Sequence, residues 1–200
     1  TGIKQHIPTV EHFICLDSYD EEIIKALPEV KFYDDLIQNI EPNFVWPDFD
    51  ELTASALCYT SGTTGHPKGA LYSHRSTVLH AMAACLPDAM NISARDILLP
   101  VVPMFHVQAW STPFGAALVG CNIVLPGPGL DGDSLVKLID DYQVTIALGV
   151  PTIWQGLLLA AEKNQTQLTS LKRNVIGGSA CPPTMMKTFR DKYQCETIHA

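Results

Sequence analysis

Charge is scarce in this sequence. Lys, Arg, Asp and Glu make up 17% of its 200 residues, against about 25% in an average soluble domain. Positive charge is the scarcer kind: 13 basic residues stand against 21 acidic ones, the net charge is −8, and no basic stripe is present. A nucleic-acid partner is set aside on that ground. Long apolar runs are missing too. Nothing approaches the ~20 consecutive apolar residues of a membrane-spanning helix, and no basic segment leads into an apolar stretch as in a signal peptide. Peripheral membrane contact and a homo-oligomer stay open. The six cysteines are widely spaced and include no Cys-x-x-Cys pair, so a disulfide framework lacks its pattern. Cys15, Cys58, Cys121 and Cys195 fall in or beside strand-like runs and read as reduced core thiols of a cytoplasmic protein.

What is present is apolar. Hydrophobic residues reach 46%, and a chain of this size buries about 70% of its unfolded surface. High apolar content with little charge fits a well-buried core, or a piece of something larger whose apolar faces meet further neighbours. From residue 52 onward apolar strands and helical stretches alternate. "LTASALCYT" and "GALYSH" read as strands on either side of a loop, and "RSTVLHAMAACLPDAM" as a helix with Ser73 as its cap. Further strands are "DILLPVVPMFH", "CNIVLPG", "VTIALGV", "RNVIGGSA" and "CETIHA". The helices between them are "AWSTPFGAALVG", "GDSLVKLIDDYQ", "PTIWQGLLLAAEKN" and "PPTMMKTFRDKYQ". This alternation predicts an α/β fold with a largely parallel sheet and flanking helices. Before residue 52, "PTVEHFICLD" reads as a strand, "EEIIKAL" and "FYDDLIQNI" as short helices, and "EPNFVWPDFDE" as a surface connector.

The most informative stretch is "YTSGTTGHPKGA", residues 59–70. Its hydroxyls run Thr60, Ser61, Thr63 and Thr64, broken only by Gly62, and Pro67 and Gly69 fix Lys68 in a turn. Such a loop presents several backbone N–H groups and hydroxyls together, which can surround phosphate oxygens while the lysine adds a point charge. The plain alternative is a flexible hairpin. The P-loop of nucleotide triphosphatases, G-x-x-x-x-G-K-[ST], does not fit: Pro67 stands where its second glycine would be, and Gly69 follows Lys68. The loop joins strand to strand, so no helix dipole aims at a phosphate.

"YTSGTTGHPKG" resembles the phosphate-loop signature of the adenylate-forming superfamily, which includes acyl-CoA synthetases, luciferases and peptide-synthetase adenylation domains. It meets every fixed position of that signature, with His66 at the free one. "PMFHVQAW" (residues 103–110) resembles the motif whose His or aromatic lines the acyl pocket. "GVPTIWQGLL" resembles the segment carrying further pocket residues, and "VIGGSACPP" the turn that packs on adenine. Motif order covers about residues 48–200. "PMFHVQAW" and "YSHRS" look most like medium- or long-chain fatty acid ligases.

The resemblance implies two steps: a carboxylate attacks ATP to give an acyl-adenylate and pyrophosphate, and coenzyme A then takes the acyl group. It assigns Ser61, Gly62, Thr63, Thr64 and Gly65 as phosphate donors, Lys68 as the catalytic charge, and Thr60 as a hydroxyl in the magnesium (Mg2+) shell. Gly178, Ser179 and Ala180, in the turn at residues 176–181, fall on adenine. His106 and Trp110 fall on the acyl pocket; apart from the motif, His106 reads as a core histidine and Trp110 as core packing or a pocket wall. Cys181 has no base beside it and needs no catalytic role. Asp131, Asp133, Asp140 and Asp141 read as caps and a solvated helix face. The family's next motif, with its magnesium-binding Glu, would follow "TIHA" directly. The expectation is therefore a partial large N-terminal domain, with the C-terminal domain absent. Alternatives are an adenylation domain loading a carrier protein and a non-catalytic nucleotide-binding module.

Overall fold

A computed structural model describes residues 4–17, 19–60 and 65–200. The chain divides into two units, one ending at Asp48 and one beginning at Phe49. The first unit is sparse. It holds a 3-10 turn (Lys4–His6), β1 (Ile14–Cys15), α1 (Glu21–Ala26), β2 (Lys31–Phe32) and α2 (Tyr33–Ile37). β1 and β2 pair in parallel over two positions, so the strand expected over residues 8–17 shrinks to Ile14–Cys15. The Phe13 carbonyl just before it accepts from the Lys31 N–H at 2.9 Å. Asp20 caps α1 by accepting from the Glu22 N–H at 2.7 Å. None of the unit's described residues is buried.

The second unit holds the core. β3 (Ala54–Thr60) and β4 (Lys68–Ser73) form an antiparallel two-stranded ribbon. Ser73 then caps α3 (His74–Ala84), as the sequence predicts, and does so in a reciprocal capping box with Ser76. A five-stranded sheet follows in the order β6-β5-β7-β8-β9, parallel throughout. Its strands are β5 (Ile97–Pro100), β6 (Asn122–Ile123), β7 (Ile146–Gly149), β8 (Arg173–Ile176) and β9 (Glu196–His199). The run expected as one strand to His106 stops at Pro100, because prolines at 100 and 103 withdraw ladder donors. The helices are α5 (Thr112–Val119), α6 (Gly132–Tyr142), α7 (Pro151–Lys163) and α8 (Pro183–Tyr193), with a single left-handed turn, α4 (Val107–Trp110), before α5.

Strand alternation sorts two cores. Leu99, Val101, Ala147 and Ile176 join Leu135, Ile139, Trp154, Leu157 and Phe189 of α6, α7 and α8. Leu98, Val102, Ile146, Leu148 and Val175 join Ala116 of α5 on the other face. Burial on both faces is why these strands read as unbroken apolar runs. Trp154 meets Phe189 edge-on at 5.7 Å, and its indole N–H donates to the Gly149 carbonyl at 3.0 Å. The tryptophan in "GVPTIWQGLL" is thus a core residue. α6 and α7 approach closely at Gly132, where a methyl group would lie 2.2 Å from the Gly156 carbonyl oxygen.

The amino ends of β5, β7 and β8 are clasped by a buried ion pair between Asp96 and Arg173. The Thr145 hydroxyl donates to Asp96 at 2.8 Å, as does the Ser93 N–H at 2.8 Å. Burial pushes the Asp96 carboxyl up, but the hydrogen bonds from Arg173, Thr145 and Ser93 outweigh it and hold the group below the usual carboxylate range.

All six cysteines are free. Only Cys58 and Cys195 are buried; Cys15 and Cys121 are half-buried, a correction to their reading as core thiols. Burial pushes the Cys195 thiol up to about 12. It pushes Cys121 up to about 11, with the Asp96 charge adding to the effect. No helix among the described residues is long and apolar enough to cross a membrane.

Candidate functional site

The ribbon fixes the two ends of the Gly/Ser/Thr loop. Its register sets Thr60 directly opposite Lys68, and the Thr60 hydroxyl donates to the Lys68 carbonyl at 3.4 Å. Thr60, Gly65 and Lys68 are exposed, and Lys68 has no ion-pair partner among the described residues. Ser61, Gly62, Thr63 and Thr64 lie outside the described residues. The loop connects strand to strand, as expected, rather than opening a helix.

A second group forms at the carboxyl ends of the parallel strands, the usual place for a ligand crevice in an α/β sheet. β8 ends at Ile176 and runs into Gly177 and Gly178. Gly177 is buried, and a methyl group there would come within 2.9 Å of the Trp110 ring. Gly178 has φ +79°, a conformation that suits glycine. Trp110, His80, Met90, Val107, Gly177 and Gly178, with Ala200, line an open hollow of about 310 Å³. The structure thus brings Trp110 and Gly178 together. Ser179 and Ala180 are exposed beyond the turn and do not line the hollow. Nor does His106, which is exposed where the left-handed turn begins.

That turn holds the longest run of positive-φ non-glycine backbone among the described residues. Five consecutive non-glycine residues have positive φ: Val107 +49°, Gln108 +52°, Ala109 +48°, Trp110 +56° and Ser111 +56°. Left-handed helical backbone is costly for every L-residue. Strain of this kind persists only where the surroundings over-determine it. Here the buried Ala109 is locked into the core around Ala116, and the Thr112 hydroxyl donates to its carbonyl at 2.7 Å. The sequence predicts helix from Ala109 on; the first turn runs with the opposite hand, and that hand carries Trp110 onto Gly177.

His80 and Met90 are absent from the motif reading. His80 lies one helical turn beyond Ser76 on α3, a polar i, i+4 pair that could have marked the face. Larger hollows of about 550, 450 and 360 Å³ lie between α7 and α8, between α8 and β9, and beside the start of α3 at Phe49 and His74, and contain none of the assigned residues. Burial raises the Cys181 thiol, so it is not an activated nucleophile. No cluster of three or more His, Cys, Asp or Glu side chains gathers among the described residues. The exposed Thr60 hydroxyl fits one position in a magnesium shell made up mostly of phosphate oxygens and water.

The chain belongs to the family of AMP-binding enzymes, whose model matches residues 4–200. It is 57% identical over 199 residues to a 3-methylmercaptopropionyl-CoA ligase of Ruegeria lacuscaerulensis, covering 100% of this chain and 37% of that relative. It is 56% identical to a medium-chain-fatty-acid–CoA ligase of Ectopseudomonas oleovorans, covering 99% of this chain and 36% of the relative. The chain therefore spans little more than a third of these relatives. Among solved structures, the N-terminal domain of FACL13 from Mycobacterium tuberculosis superposes with a TM-score of 0.75 at 24% identity, covering 90% of this chain and 48% of that one. The anthranilate CoA ligase AuaEII superposes at 0.78 with 19% identity, covering 98% and 37%. These likenesses support the fold: a parallel sheet flanked by helices, as in the N-terminal domains of adenylate-forming enzymes.

Proposed function

We propose that the whole protein is an ATP-dependent, AMP-forming ligase that joins a fatty acid of medium or long chain to coenzyme A in the cytoplasm. The observation that carries this reading is the ribbon register, which holds Thr60 and Lys68 at the two ends of a hydroxyl-rich loop, Lys68 having no ion-pair partner among the described residues. The named relatives, acid–CoA ligases at more than half identity, favour coenzyme A over a carrier protein as acceptor. The six free thiols fit the compartment.

In the first step the acid's carboxylate oxygen bonds to the α-phosphorus of ATP, and pyrophosphate leaves with the electron pair of the broken P–O bond. Negative charge gathers on the phosphate oxygens. Preorganised N–H groups and a cation are worth most there; the loop from Ser61 to Gly65 supplies the donors and Lys68 the charge. Thr60 is this chain's donor to magnesium, which when bound neutralises phosphate charge. Gly178, Ser179 and Ala180 take the adenine, while Trp110 and His106 take the acid. In the second step the coenzyme A thiol gives up its proton, its sulfur bonds to the acyl carbon, and AMP departs with the electron pair of the broken acyl C–O bond.

The test is Lys68→Ala in the full-length protein. Acid-dependent pyrophosphate exchange slows by about ten- to a thousandfold, as for loss of one charge-stabilising donor. Unchanged exchange would falsify the assignment of Lys68.

A further inference from the structure

The hollow beside Gly177 has a neighbour of different chemistry. On the other flank of the left-handed turn lies a hollow of about 250 Å³. His80 and Val107 line both, so the two adjoin at that pair. The first is walled mainly by Met90, Val107 and Trp110. The second is lined by Tyr72, Ser76, Thr77, Gln108 and Ser111 besides the shared pair.

Two of these hydroxyls are already engaged. Ser76 bonds the Ser73 N–H and carbonyl at 3.0 and 2.9 Å, and Thr77 bonds the Ser73 carbonyl and the Ser55 hydroxyl, each at 3.0 Å. The side chains of Tyr72, His80, Gln108 and Ser111 make no hydrogen bond to any described residue. Ser111 is 8% exposed. The Ser111 hydroxyl still reaches the surface, as does the exposed His80, so these groups can exchange water for a ligand's hydrogen-bonding group. A phenol, an imidazole, a carboxamide and a hydroxyl thus face one small space, and no Lys, Arg, Asp or Glu lines it. With no fixed charge, the space suits a neutral hydrogen-bonding group and disfavours a second carboxylate.

Building on the ligase reading, we infer that the acid this protein activates carries a neutral hydrogen-bonding group, such as a hydroxyl, at the end of its chain. The chain lies against Met90 and Trp110. Its far end passes His80 and Val107 and is held by Tyr72, His80, Gln108 and Ser111. The left-handed turn makes this arrangement by carrying Trp110 to one hollow and Gln108 and Ser111 to the other. Specificity of this kind is built on polar groups that an alkane end would leave unpaired, and it discriminates more sharply than an apolar pocket can.

The test compares kcat/KM for AMP release by the full-length protein with ω-hydroxy acids and alkanoic acids matched in heavy-atom count, over a series of lengths. At the length that spans both hollows the hydroxy acid is used at least as well as its alkanoic partner. An apolar pocket would instead disfavour the hydroxyl by about tenfold or more. Tyr72→Phe and Ser111→Ala each remove one hydroxyl with little change of shape. Each lowers the ratio of kcat/KM for the hydroxy acid to that for the alkanoate by up to about tenfold, and an unchanged thermal unfolding midpoint shows that the variant folds. A tenfold or greater preference for the alkanoate at every length, or equal loss on both substrates in the variants, overturns the inference while the ligase reading stands. Failure of every acid to release AMP overturns both.

Discussion

Glycine at Gln108 should stabilise the protein, although glycine in a helix normally does the reverse. Gln108 sits at φ +52°, ψ +42°, where an L-residue is disfavoured by about 1–2 kcal/mol. Glycine removes that strain and returns about 0.4–1 kcal/mol to the unfolded chain as freedom. The net gain is about 0.5–1 kcal/mol. For a chain of this size that raises Tm by about 1–4 °C. The chain contains its own controls. Gln194, the C-cap of α8 at φ +52°, should respond like Gln108. Gln143, the C-cap of α6 at φ +53°, also donates to the Asp140 carbonyl at 2.7 Å; losing that bond costs about 1 kcal/mol and cancels the gain. Gln155 is exposed inside α7, and glycine there costs about 1 kcal/mol, lowering Tm by about 2–4 °C. The assay is thermal unfolding of the four single variants under one set of conditions. If Gln108→Gly melts below the parent alongside Gln155→Gly, the turn is not held in the left-handed form.

Three further outcomes follow from the fold. Gly132→Ala drives a methyl group against the Gly156 carbonyl and should destabilise by about 1–3 kcal/mol, the usual range for overpacking, read as a fall in denaturant midpoint; an unchanged midpoint would mean that α6 and α7 separate freely. Asp96 is depressed in the folded state, so its contribution is complete above its unfolded value of about 3.9 and is lost as pH falls through the lower folded value. Asp96→Asn should flatten the acid limb of a stability–pH curve, and an identical limb in both proteins would remove the clasp from the account. Cys121 and Cys195, raised to about 11 and about 12, should resist iodoacetamide at neutral pH in the folded protein and react after denaturation. Rapid labelling of either in the folded state would contradict its environment.

The parallel sheet was legible because its strands are buried on both faces and its helices announce themselves. Ser73, Asp131 and the prolines at the starts of α7 and α8 stand where the sequence puts helix entries. Boundaries failed at Pro100, where proline cut a ladder short, and before Ile14, where β1 pairs with β2 over only two positions. Thr60 as a strand end was legible from the sequence; Lys68, read as fixed in a turn, instead opens β4 and pairs with Thr60. The company of Trp110 was not legible. Sequence order assigns it to the acid and Gly178 to the nucleotide, while the fold sets it against Gly177 and in one hollow with Gly178. That contact depends on the hand of five residues, none of them glycine, and propensity gives no sign of it. His80 was hidden for a related reason: it belongs to the site through its position on α3, not through a motif of its own.

The Asp96–Arg173 clasp and the Gly177 turn stand at opposite ends of the same strands, and this separates two kinds of change. Substitutions around residues 91–96, 145 and 173 alter how firmly the strands are gathered, while substitutions after Pro100 and Ile176 alter what the crevice admits. A lineage can therefore acquire a new substrate without first surrendering thermal robustness. An engineer can likewise harden the clasp rim and reshape the crevice rim in separate rounds, with little correction of one by the other.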